Sequence, residues 1–447
     1  MSVEAGTWRI GVDIGGTFTD LVLSSASGET KVFKVPTIIE DPSRGALDAV
    51  ARAAAWRGLS PSDLLRKCTL FVHGSTVATN TLLERKGAKV GLLTTAGFRD
   101  ALEIRRGRRA NPWDHRTPYP PVLVPRYLRL PVTGRIDRSG LEIAPPAMED
   151  VDDAVRAMRE DGVEAVAISL FNSFLNPAHE RTVARRAREH GLDGVISLSS
   201  DIAPIMGEYE RTSTVVVNAY VAPRTLAYLR ALDEELGALG LPNPLVLIQS
   251  NGGAVSVAEL RDRSVNLLLS GPAAGVGALC HYAASIGSDD LISIEIGGTS
   301  CDVILMSGGK VAFTEFLDIG GYDCAIPSVE VHSIGAGGGT IARLDAAGLL
   351  HLGPEGAGAR PGPACYGRGG SEPTVTDAQV LLGRLAPGSY AGGSIAIAGE
   401  LARAAIERRI AQPLGLTAER AAAGMIELMD QKLLHAVQRM STERGHS

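Results

Sequence analysis

Apolar residues alternate with polar ones in two stretches that lie far apart along the chain. Residues 10–23 read Ile-Gly-Val-Asp-Ile-Gly-Gly-Thr-Phe-Thr-Asp-Leu-Val-Leu, and residues 292–305 read Ile-Ser-Ile-Glu-Ile-Gly-Gly-Thr-Ser-Cys-Asp-Val-Ile-Leu. In each stretch an apolar strand, an acid and a Gly-Gly-Thr turn are followed by an Asp and a second apolar strand. The pattern predicts the same β-hairpin twice, each time with a glycine tip.

Outside the hairpins, the hydrophobic pattern predicts alternating strands and helices, which indicates mixed or parallel sheets. The predicted strands cover residues 10–35 (three strands), 69–72, 89–94, 165–171, 194–198 and 245–248, with more strands to about 333. The predicted helices cover 43–57, 177–190, 212–237 and much of 398–445. A chain of 447 residues exceeds one ordinary core. We expect two domains, one over residues 1–200 and one over residues 201–447.

The composition narrows the class of protein. With 45% hydrophobic and 21% charged residues it is typical of a globular protein, and the net charge of −6 comes without a basic stripe, which argues against a nucleic-acid partner. No apolar run has the length of a membrane span, and we identify no signal peptide. The five cysteines are widely spaced and form no Cys-x-x-Cys pair, so we expect reduced thiols in the cytoplasm. Cys365 is a candidate nucleophile, although a packed small residue is the commoner explanation.

A glycine tip lets backbone N–H groups approach an anion closely, and the neighbouring Thr adds a hydroxyl. Two such tips that face each other would clamp a polyphosphate, while their acids hold its Mg²⁺. Asp20 and Asp302 either touch the metal or hold the hairpin in shape. The first cradle is assigned to Gly15, Gly16, Thr17 and Thr19, the second to Gly297, Gly298 and Thr299, and the catalytic, metal-holding acids are Asp13 and Glu295.

Three further candidates are less specific. His73 lies at a predicted strand-to-helix junction, a common ligand position in open sheets; it contacts substrate or phosphate, or is a buried hydrogen-bonded imidazole. The arginines at 105, 106, 108 and 109 face an anion or form a solvated charge run. The glycines at 335–339, Gly337 and Gly338 among them, bring backbone close to the nucleotide-like polyphosphate ligand or form a structural hairpin.

Two α/β halves that each open with such a hairpin resemble the actin, sugar-kinase and Hsp70 ATPase fold, with two related RNase H-like halves whose mixed sheets are flanked by helices. Several further motifs resemble the hydantoinase A / 5-oxoprolinase family. They are His-Gly-Ser-Thr-Val-Ala-Thr-Asn-Thr (73–81), Gly-Phe-Arg-Asp (97–100), Tyr-Glu-Arg-Thr (209–212), Gln-Ser-Asn-Gly-Gly (249–253), Ser-Gly-Pro-Ala-Ala-Gly (270–275), Ile-Gly-Ala-Gly-Gly-Gly-Thr (334–340), Gly-Ala-Gly-Ala-Arg-Pro-Gly-Pro-Ala-Cys-Tyr-Gly (356–367) and Thr-Val-Thr-Asp (374–377).

The resemblance implies ATP-driven phosphorylation of an unreactive carbonyl or enol oxygen. In the hydantoinase and oxoprolinase members a cyclic amide then opens hydrolytically, usually with a hydantoinase B-type partner subunit. We therefore expect an ATP- and Mg²⁺-dependent cyclic amide hydrolase in a multi-subunit assembly. A ketone carboxylase subunit and a non-catalytic assembly subunit are the alternatives. A sugar or acetate kinase of the same fold ranks last.

Two departures from the family pattern bear on these expectations. The second hairpin carries Glu295 where the family usually has Asp, and Cys301 stands where Thr is expected. Family members also continue for a couple of hundred residues and carry a Gly-Gly-Ala-Gly-Pro segment that resembles the adenosine-side motif of the fold. We therefore expect the chain to lack part of the base-binding wall and to expose apolar surface that a partner covers.

Overall fold

The structure is a computed structural model that describes residues 7–15, 18–38, 41–107, 109, 111, 113–260, 263–358, 360–390 and 395–446. The elements up to residue 260 are β1 (Trp8–Ile14), β2 (Phe18–Ser25), β3 (Thr30–Pro36), α1 (Pro42–Trp56), α2 (Pro61–Arg66), β4 (Cys68–Ser75), α3 (Val77–Leu83), β5 (Val90–Thr95), α4 (Ala101–Ile104), β6 (Arg129–Val132), β7 (Arg135–Ile136), β8 (Glu142–Ala144), α5 (Met148–Glu160), β9 (Ala165–Ser169), α6 (Ala178–Glu189), β10 (Val195–Leu198), α7 (Ser199–Ile202), α8 (Glu208–Ala238), β11 (Val246–Ile248), β12 (Ala254–Ser256) and α9 (Val257–Leu260).

The elements after residue 263 are α10 (Ser270–Ile286), β13 (Leu291–Ile296), β14 (Cys301–Ser307), β15 (Lys310–Val311), β16 (Phe313–Thr314), β17 (Leu317–Ile319), β18 (Tyr322–Cys324), β19 (Ser328–Val329), β20 (His332–Ile334), β21 (Thr340–Leu344), β22 (Leu350–Gly356), α11 (Val375–Leu381), β23 (Gly388–Tyr390), β24 (Ile395–Ile397), α12 (Gly399–Ile406), α13 (Gln412–Leu414) and α14 (Ala418–Met440). None of the described helices is long and apolar enough to cross a membrane.

The first hairpin lies at the centre of a six-stranded mixed sheet in the order β12-β11-β4-β1-β2-β3. Strand β1 pairs antiparallel with β2 and parallel with β4, so both of its edges are occupied. Its apolar positions Ile10, Val12 and Ile14 are almost fully buried. Helices α1 and α8 contribute to the same hydrophobic core, and this burial explains why the strand is so regular.

A second sheet, with the parallel order β10-β9-β5-β6, is formed by the segment between β4 and β11. Its helices α5 and α6 pack on one face, where they enclose a separate core. The 31-residue helix α8 then carries the chain back to β11, which pairs with β4 in the first sheet. Segments from beyond residue 200 thus complete the sheet around the first hairpin. A domain boundary at residue 200 stays a prediction.

The second hairpin belongs to a smaller sheet, in which β14 pairs with β13 on one side and with β15 and β20 on the other. Helix α14 packs against β14. Most of the predicted elements agree with the structure within a few residues. One prediction was wrong: strand β4 does not end at residue 72 but continues to Ser75, since β1 pairs with it as far as the Ile14–Ser75 register. His73 is therefore a strand residue and does not lie at the junction.

Candidate functional site

The first hairpin tip is closed by one backbone hydrogen bond, in which the N–H of Gly15 donates to the carbonyl of Phe18 at 3.0 Å. Two of the predicted phosphate-cradle residues, Gly16 and Thr17, lie outside the described residues. Asp13 is the residue before the last of β1 and lies opposite Asp20 on β2. The described part of the tip thus combines a tight turn with an acid directly behind it.

Two hydroxyl groups hold the backbone of this tip in place. Thr37 donates to the carbonyl of Gly15 at 2.8 Å, and Thr76 donates to the carbonyl of Ile14 at 2.9 Å. Thr19 is fully buried, and its hydroxyl lies 3.1 Å from that of Thr37. Thr19 thus supports the turn indirectly, through its contact with Thr37. Thr37 is not among the residues predicted from the sequence; the signal for it is that it directly follows β3, whose end pairs beside the tip.

The second tip has the same closing bond, from the N–H of Gly297 to the carbonyl of Ser300 at 2.9 Å. Glu295 lies opposite Asp302, as Asp13 lies opposite Asp20. Gly298 and Thr299 are exposed at the tip, where a ligand can reach their backbone. The two copies recognised in the sequence therefore fold into matching hairpins.

The glycine-rich loop 335–339 lies directly on the second tip. Gly338 donates to the carbonyl of Gly297 at 3.0 Å, and Gly339 donates to the carbonyl of Gly298 at 2.7 Å. A Cβ on Gly337 would lie 2.7 Å from backbone atoms of Gly298 and Thr299. Both Gly337 and Gly338 thus serve close backbone packing in this structure, and direct contact with ATP stays a prediction.

Helix α10 lies beside both acids, Asp13 and Glu295. A Cβ on Gly271 would lie 3.9 Å from Oδ1 of Asp13. One turn later, a Cβ on Gly275 would overlap Oε1 of Glu295 and lie 2.9 Å from its Cδ. The start of the helix is joined to the end of β4, because Ser270 donates to the carbonyl of Ser75 at 3.0 Å. Both carboxylates therefore lie along the glycine-bearing side of the first turns of α10.

These carboxylates carry perturbed pKa values. The surrounding protein desolvates Asp13, and with the nearby charge of Asp20 this raises its pKa to about 6, while Lys34 opposes the shift. Desolvation also raises the pKa of Glu295; a hydrogen bond from Ser293 opposes this, and the charges of Asp302 and Asp13 add to it. Asp13 and Glu295 are thus close enough to repel each other. A cation between them would relieve that repulsion.

Asp20 and Asp302, whose role the sequence left open, each have a partner on the neighbouring strand. Both carboxylate oxygens of Asp20 accept from Nζ of Lys34 at 2.7 Å. Asp302 accepts a short hydrogen bond from the hydroxyl of Ser333. These contacts lie across the registers β2–β3 and β14–β20. They support the interpretation that the two residues hold the hairpins in shape.

The donors at the site fit Mg²⁺ in the company of a polyphosphate. Among the described residues no group of three or more His, Cys, Asp or Glu side chains could hold a metal ion. Mg²⁺ bound to nucleotide usually takes only one or two carboxylates and completes its shell with water and phosphate oxygens. Asp13 and Glu295 supply that number, and burial raises the pKa of each, a shift that a bound cation would oppose.

His73 is 1% exposed and has a partner for each ring nitrogen. Nδ1 lies 3.3 Å from the carbonyl of Val12, and the hydroxyl of Tyr228 lies 2.8 Å from Nε2. A carbonyl only accepts, so Nδ1 carries the proton and Tyr228 donates to Nε2. Burial lowers the pKa of His73 to about 4. This is the geometry of a buried, neutral imidazole, and a direct catalytic role for His73 stays a prediction.

A cavity of about 490 Å³ lies beside the first tip. The tip, α3 and α8 enclose it, and Tyr228 connects it to His73. Its polar lining includes two cations, Lys86 and Arg224, along with the side chain of Asn80. The residues that line it are Ile14, Gly15, Thr37, Pro42, Thr76, Val77, Asn80, Thr81, Glu84, Lys86, Arg224 and Tyr228.

The described arginines of the segment 105–109 bind other groups of the same chain. Arg105 donates to the carbonyls of Pro120 and Gly321, and Arg106 makes a two-pronged ion pair with Glu210 at 2.6–2.7 Å. Arg109 donates to the carbonyl of His115, and position 108 lies outside the described residues. These contacts agree with a structural role for the segment.

Cys365 is fully buried. Its backbone N–H donates to Oδ1 of Asp377 at 2.7 Å, and desolvation raises the pKa of its thiol. Asp377 also accepts from the backbone and hydroxyl of Thr374 in a capping box that begins α11. A neutral, enclosed thiol is a poor nucleophile. The motif at 374–377 is therefore explained by local structure.

Mixed α/β sheets flanked by helices, with matching glycine-tipped hairpins in two halves, are the architecture of the actin-like ATPase fold. The chain belongs to the hydantoinase/oxoprolinase family. The family's sequence model, "Hydantoinase/oxoprolinase", matches residues 211–447, and the model of its N-terminal region matches residues 9–191.

Two solved proteins and one curated sequence illustrate the family membership. Over 441 residues the chain is 42% identical to "Caprolactamase subunit alpha" from Pseudomonas jessenii, an alignment that covers 98% of this chain and 63% of the relative. The crystal structure of the ATP-dependent caprolactamase from Pseudomonas jessenii superposes with a TM-score of 0.84 at 41% identity, over 98% of this chain and 64% of the other. Nucleotide-free acetone carboxylase gives 0.86 at 29% identity, over 99% and 64%. The chain thus spans less than two thirds of each of these proteins.

Proposed function

We propose that the chain is the ATP-using part of a cyclic amide hydrolase. Its substrate would be a small cyclic amide of the hydantoin or 5-oxoproline type. The observation that carries the proposal is the pair of matching hairpins with Asp13 and Glu295 on one helix side. The 42% identity to a caprolactamase subunit, whose name states action on a cyclic amide, supports the same class of reaction.

The proposed chemistry solves the problem of a poor leaving group. An amide oxygen does not depart as such, whereas phosphorylation of that oxygen makes it a good leaving group. The terminal phosphoryl group of ATP passes to the amide oxygen and water adds to the activated carbon. The ring nitrogen then takes a proton and leaves as the C–N bond breaks, and a second water hydrolyses the resulting acyl phosphate to a carboxylate and phosphate. For the first step the protein must align the phosphoryl group with the acceptor oxygen and neutralise charge.

The described residues suit these tasks. The N–H groups of Gly15 and Gly297 close the turns, and the backbone N–H of Gly298 is assigned to the phosphates, with the exposed Thr299 beside it. Asp13 and Glu295 are assigned to Mg²⁺, which would supply positive charge against the phosphate oxygens. The 490 Å³ cavity adjoins the first tip and is large enough for a small cyclic amide. We assign it to the acceptor substrate, with Asn80 as a hydrogen-bonding group at its wall.

The test is Mg-ATP binding by calorimetry with the 447-residue chain and its Asp13→Asn variant. Asp48→Asn is the matched control, because it removes the same charge at an exposed position of α1. We expect binding in the parent and the control, and at least a tenfold loss for Asp13→Asn. Equal affinities in all three chains would overturn the assignment of the hairpins. An absence of binding in the parent chain itself would favour the non-catalytic alternative.

A ketone carboxylase subunit is the second candidate, since nucleotide-free acetone carboxylase gives a TM-score of 0.86. The two candidates are separated by measuring ADP release in the presence of a panel of cyclic amides and in the presence of a panel of ketones plus bicarbonate.

In either case we propose a multi-subunit enzyme, with a hydantoinase B-type partner for ring opening. A cytoplasmic location is part of the proposal and rests on the five cysteines, all of which carry free thiols.

A further inference from the structure

The hydroxyl of Tyr228 takes part in a hydrogen bond whose direction is fixed. It lies 2.8 Å from Nε2 of His73, and the two rings meet edge-on at 66° with their centroids 5.8 Å apart. The other ring nitrogen of His73 donates to the carbonyl of Val12, and a neutral imidazole carries only one proton. Nε2 is therefore an acceptor, and the phenolic proton of Tyr228 points towards it.

Both side chains keep these protonation states at neutral pH. Burial lowers the pKa of His73 to about 4, so the ring stays neutral. Burial and the nearby negative charge of Asp41 raise the pKa of Tyr228 above its usual range, so the hydroxyl keeps its proton. Because that proton is donated to His73, the oxygen of Tyr228 can serve any further partner only as an acceptor.

Two more hydroxyls that line the cavity beside the first tip are committed in the same way. Thr37 donates to the carbonyl of Gly15, and Thr76 donates to the carbonyl of Ile14. Tyr228 lines the same cavity of about 490 Å³. A hydroxyl whose proton is already used can only accept a hydrogen bond from a ligand. A ligand group that lies against these three hydroxyls therefore has to be a donor.

We propose that Tyr228 selects substrates with an unsubstituted ring N–H, which donates to its hydroxyl oxygen. This inference rests on the assignment of the cavity to the acceptor substrate under the proposed function. In a small lactam ring the amide is cis, so the N–H and the carbonyl oxygen lie on the same edge of the ring. Gly15 of the first tip lines the cavity together with Tyr228. Holding the N–H at Tyr228 thus also orients the oxygen that is to be phosphorylated.

Lactams and lactones of equal ring size test this hydrogen bond, because a lactone has a ring oxygen in place of the N–H. The probes are butyrolactam, valerolactam and caprolactam, each compared with the lactone of the same ring size. Dissociation constants are measured by NMR titration of the 447-residue chain without nucleotide. We expect the best-bound lactam to bind about tenfold more tightly than its lactone, whose ring oxygen would face the lone pairs of Tyr228.

Tyr228→Phe supplies the specific variant, because it removes the hydroxyl and keeps the ring. We expect the affinity for the lactam to fall about tenfold and the affinity for the lactone to stay within about twofold, so that the preference disappears. A merely structural defect would weaken both ligands equally. Tyr282→Phe is the matched control, since Tyr282 is exposed on α10 and is not among the residues that line the cavity. Circular dichroism confirms that both variants are folded.

The tautomer of His73 can be measured in the parent chain and needs no variant. NMR of the imidazole nitrogens at neutral pH should show the proton of His73 on Nδ1, where it is donated to Val12. A proton on Nε2 would overturn the proposal, because Tyr228 would then accept from His73 and could turn its own proton towards the ligand.

Two results of the titrations would also contradict the proposal. One is equal affinity of the parent chain for lactams and lactones, and the other is an unchanged preference for lactams in Tyr228→Phe. If either occurs while Mg-ATP binds in a manner that depends on Asp13, the proposed function stands and this inference fails. If the preference depends on Tyr228 but Mg-ATP does not bind, the proposed ATP-dependent function fails while the selection of the ring N–H stands.

Discussion

The two hairpin tips have the same turn but are held by different means. The first tip is fixed by side-chain hydroxyls, which donate from Thr37 and Thr76 to its backbone carbonyls. The second tip is fixed by the backbone of Gly338 and Gly339, which donates to the carbonyls of Gly297 and Gly298. A duplicated element can thus keep its own geometry while its support changes completely. The supports should therefore respond to substitution in different ways.

The largest effect is expected where backbone packs on backbone. Gly337→Ala would place a Cβ 2.7 Å from main-chain atoms of the second tip, which cannot rotate away as a side chain would. We expect the free energy of unfolding to fall by about 2–3 kcal/mol in urea titrations. Gly335→Ala is the control, because its Cβ would meet nothing within 4 Å. Similar stability of the two variants would show that the loop does not clamp the tip.

The buried imidazole beside the first tip predicts a pH dependence of the free energy of unfolding. With a folded pKa of about 4 for His73, only the unfolded chain takes up this proton between pH 6.5 and 4. Its contribution to the free energy of unfolding therefore falls as the pH is lowered, by about 2 kcal/mol between pH 7 and 5. Asp13 has the opposite sign, since its raised pKa favours protonation in the folded state.

A comparison of variants isolates the histidine from the carboxylates. His73→Gln should lose less stability than the parent chain between pH 7 and 5, by about 2 kcal/mol in urea titrations. His281→Gln, which changes an exposed histidine of α10, should follow the parent chain. Parallel pH profiles for all three proteins would mean that His73 is not buried as a neutral ring.

A methyl group added at position 275 of α10 would displace the carboxylate of Glu295. Gly275→Ala would force the carboxylate off the helix, so we expect Mg-ATP affinity to fall about tenfold, or about 1.4 kcal/mol, in calorimetry. Gly277→Ala on the same helix has open space around its Cβ and serves as control. Unchanged affinity in Gly275→Ala would argue that Glu295 does not bind the metal.

The smallest effect concerns the hydroxyl support of the first tip. Thr37→Val removes the hydrogen bond to Gly15 and should lower the free energy of unfolding by about 1 kcal/mol. Thr30→Val on the exposed end of β3 should change it by less than about half of that. Thermal or urea unfolding measures both, and equal losses would show that the hydroxyl of Thr37 is not needed.

The hairpins were predictable because their signal is local. The strand periodicity, the acids and the glycine tips lie within 14-residue stretches, and the structure shows the same closing bond in both. The helices and strands of the α/β segments followed from the same periodicity. The family resemblance supplied the fold class, and the family models and solved relatives bear it out.

What the sequence could not provide depends on contacts between distant segments. The burial of His73 follows from the position of Tyr228 on a helix far along the chain. The packing of Gly337 on the second tip, and of Gly275 on Glu295, requires knowledge of which backbones meet. The roles of the acids and glycines in phosphate and metal binding stay predictions.

The glycines of α10 have a consequence for how the chain can vary. Positions 271 and 275 are four residues apart, so a rise of about 6 Å along one helix sets the axial spacing between the contacts of Asp13 and Glu295. One inserted residue between them would shift the second contact by about 1.5 Å and rotate it by about 100°. Asp13 and Glu295, which lie far apart in the sequence, are thus spaced by a single helical turn, and we expect an insertion or deletion in that turn to separate their contacts.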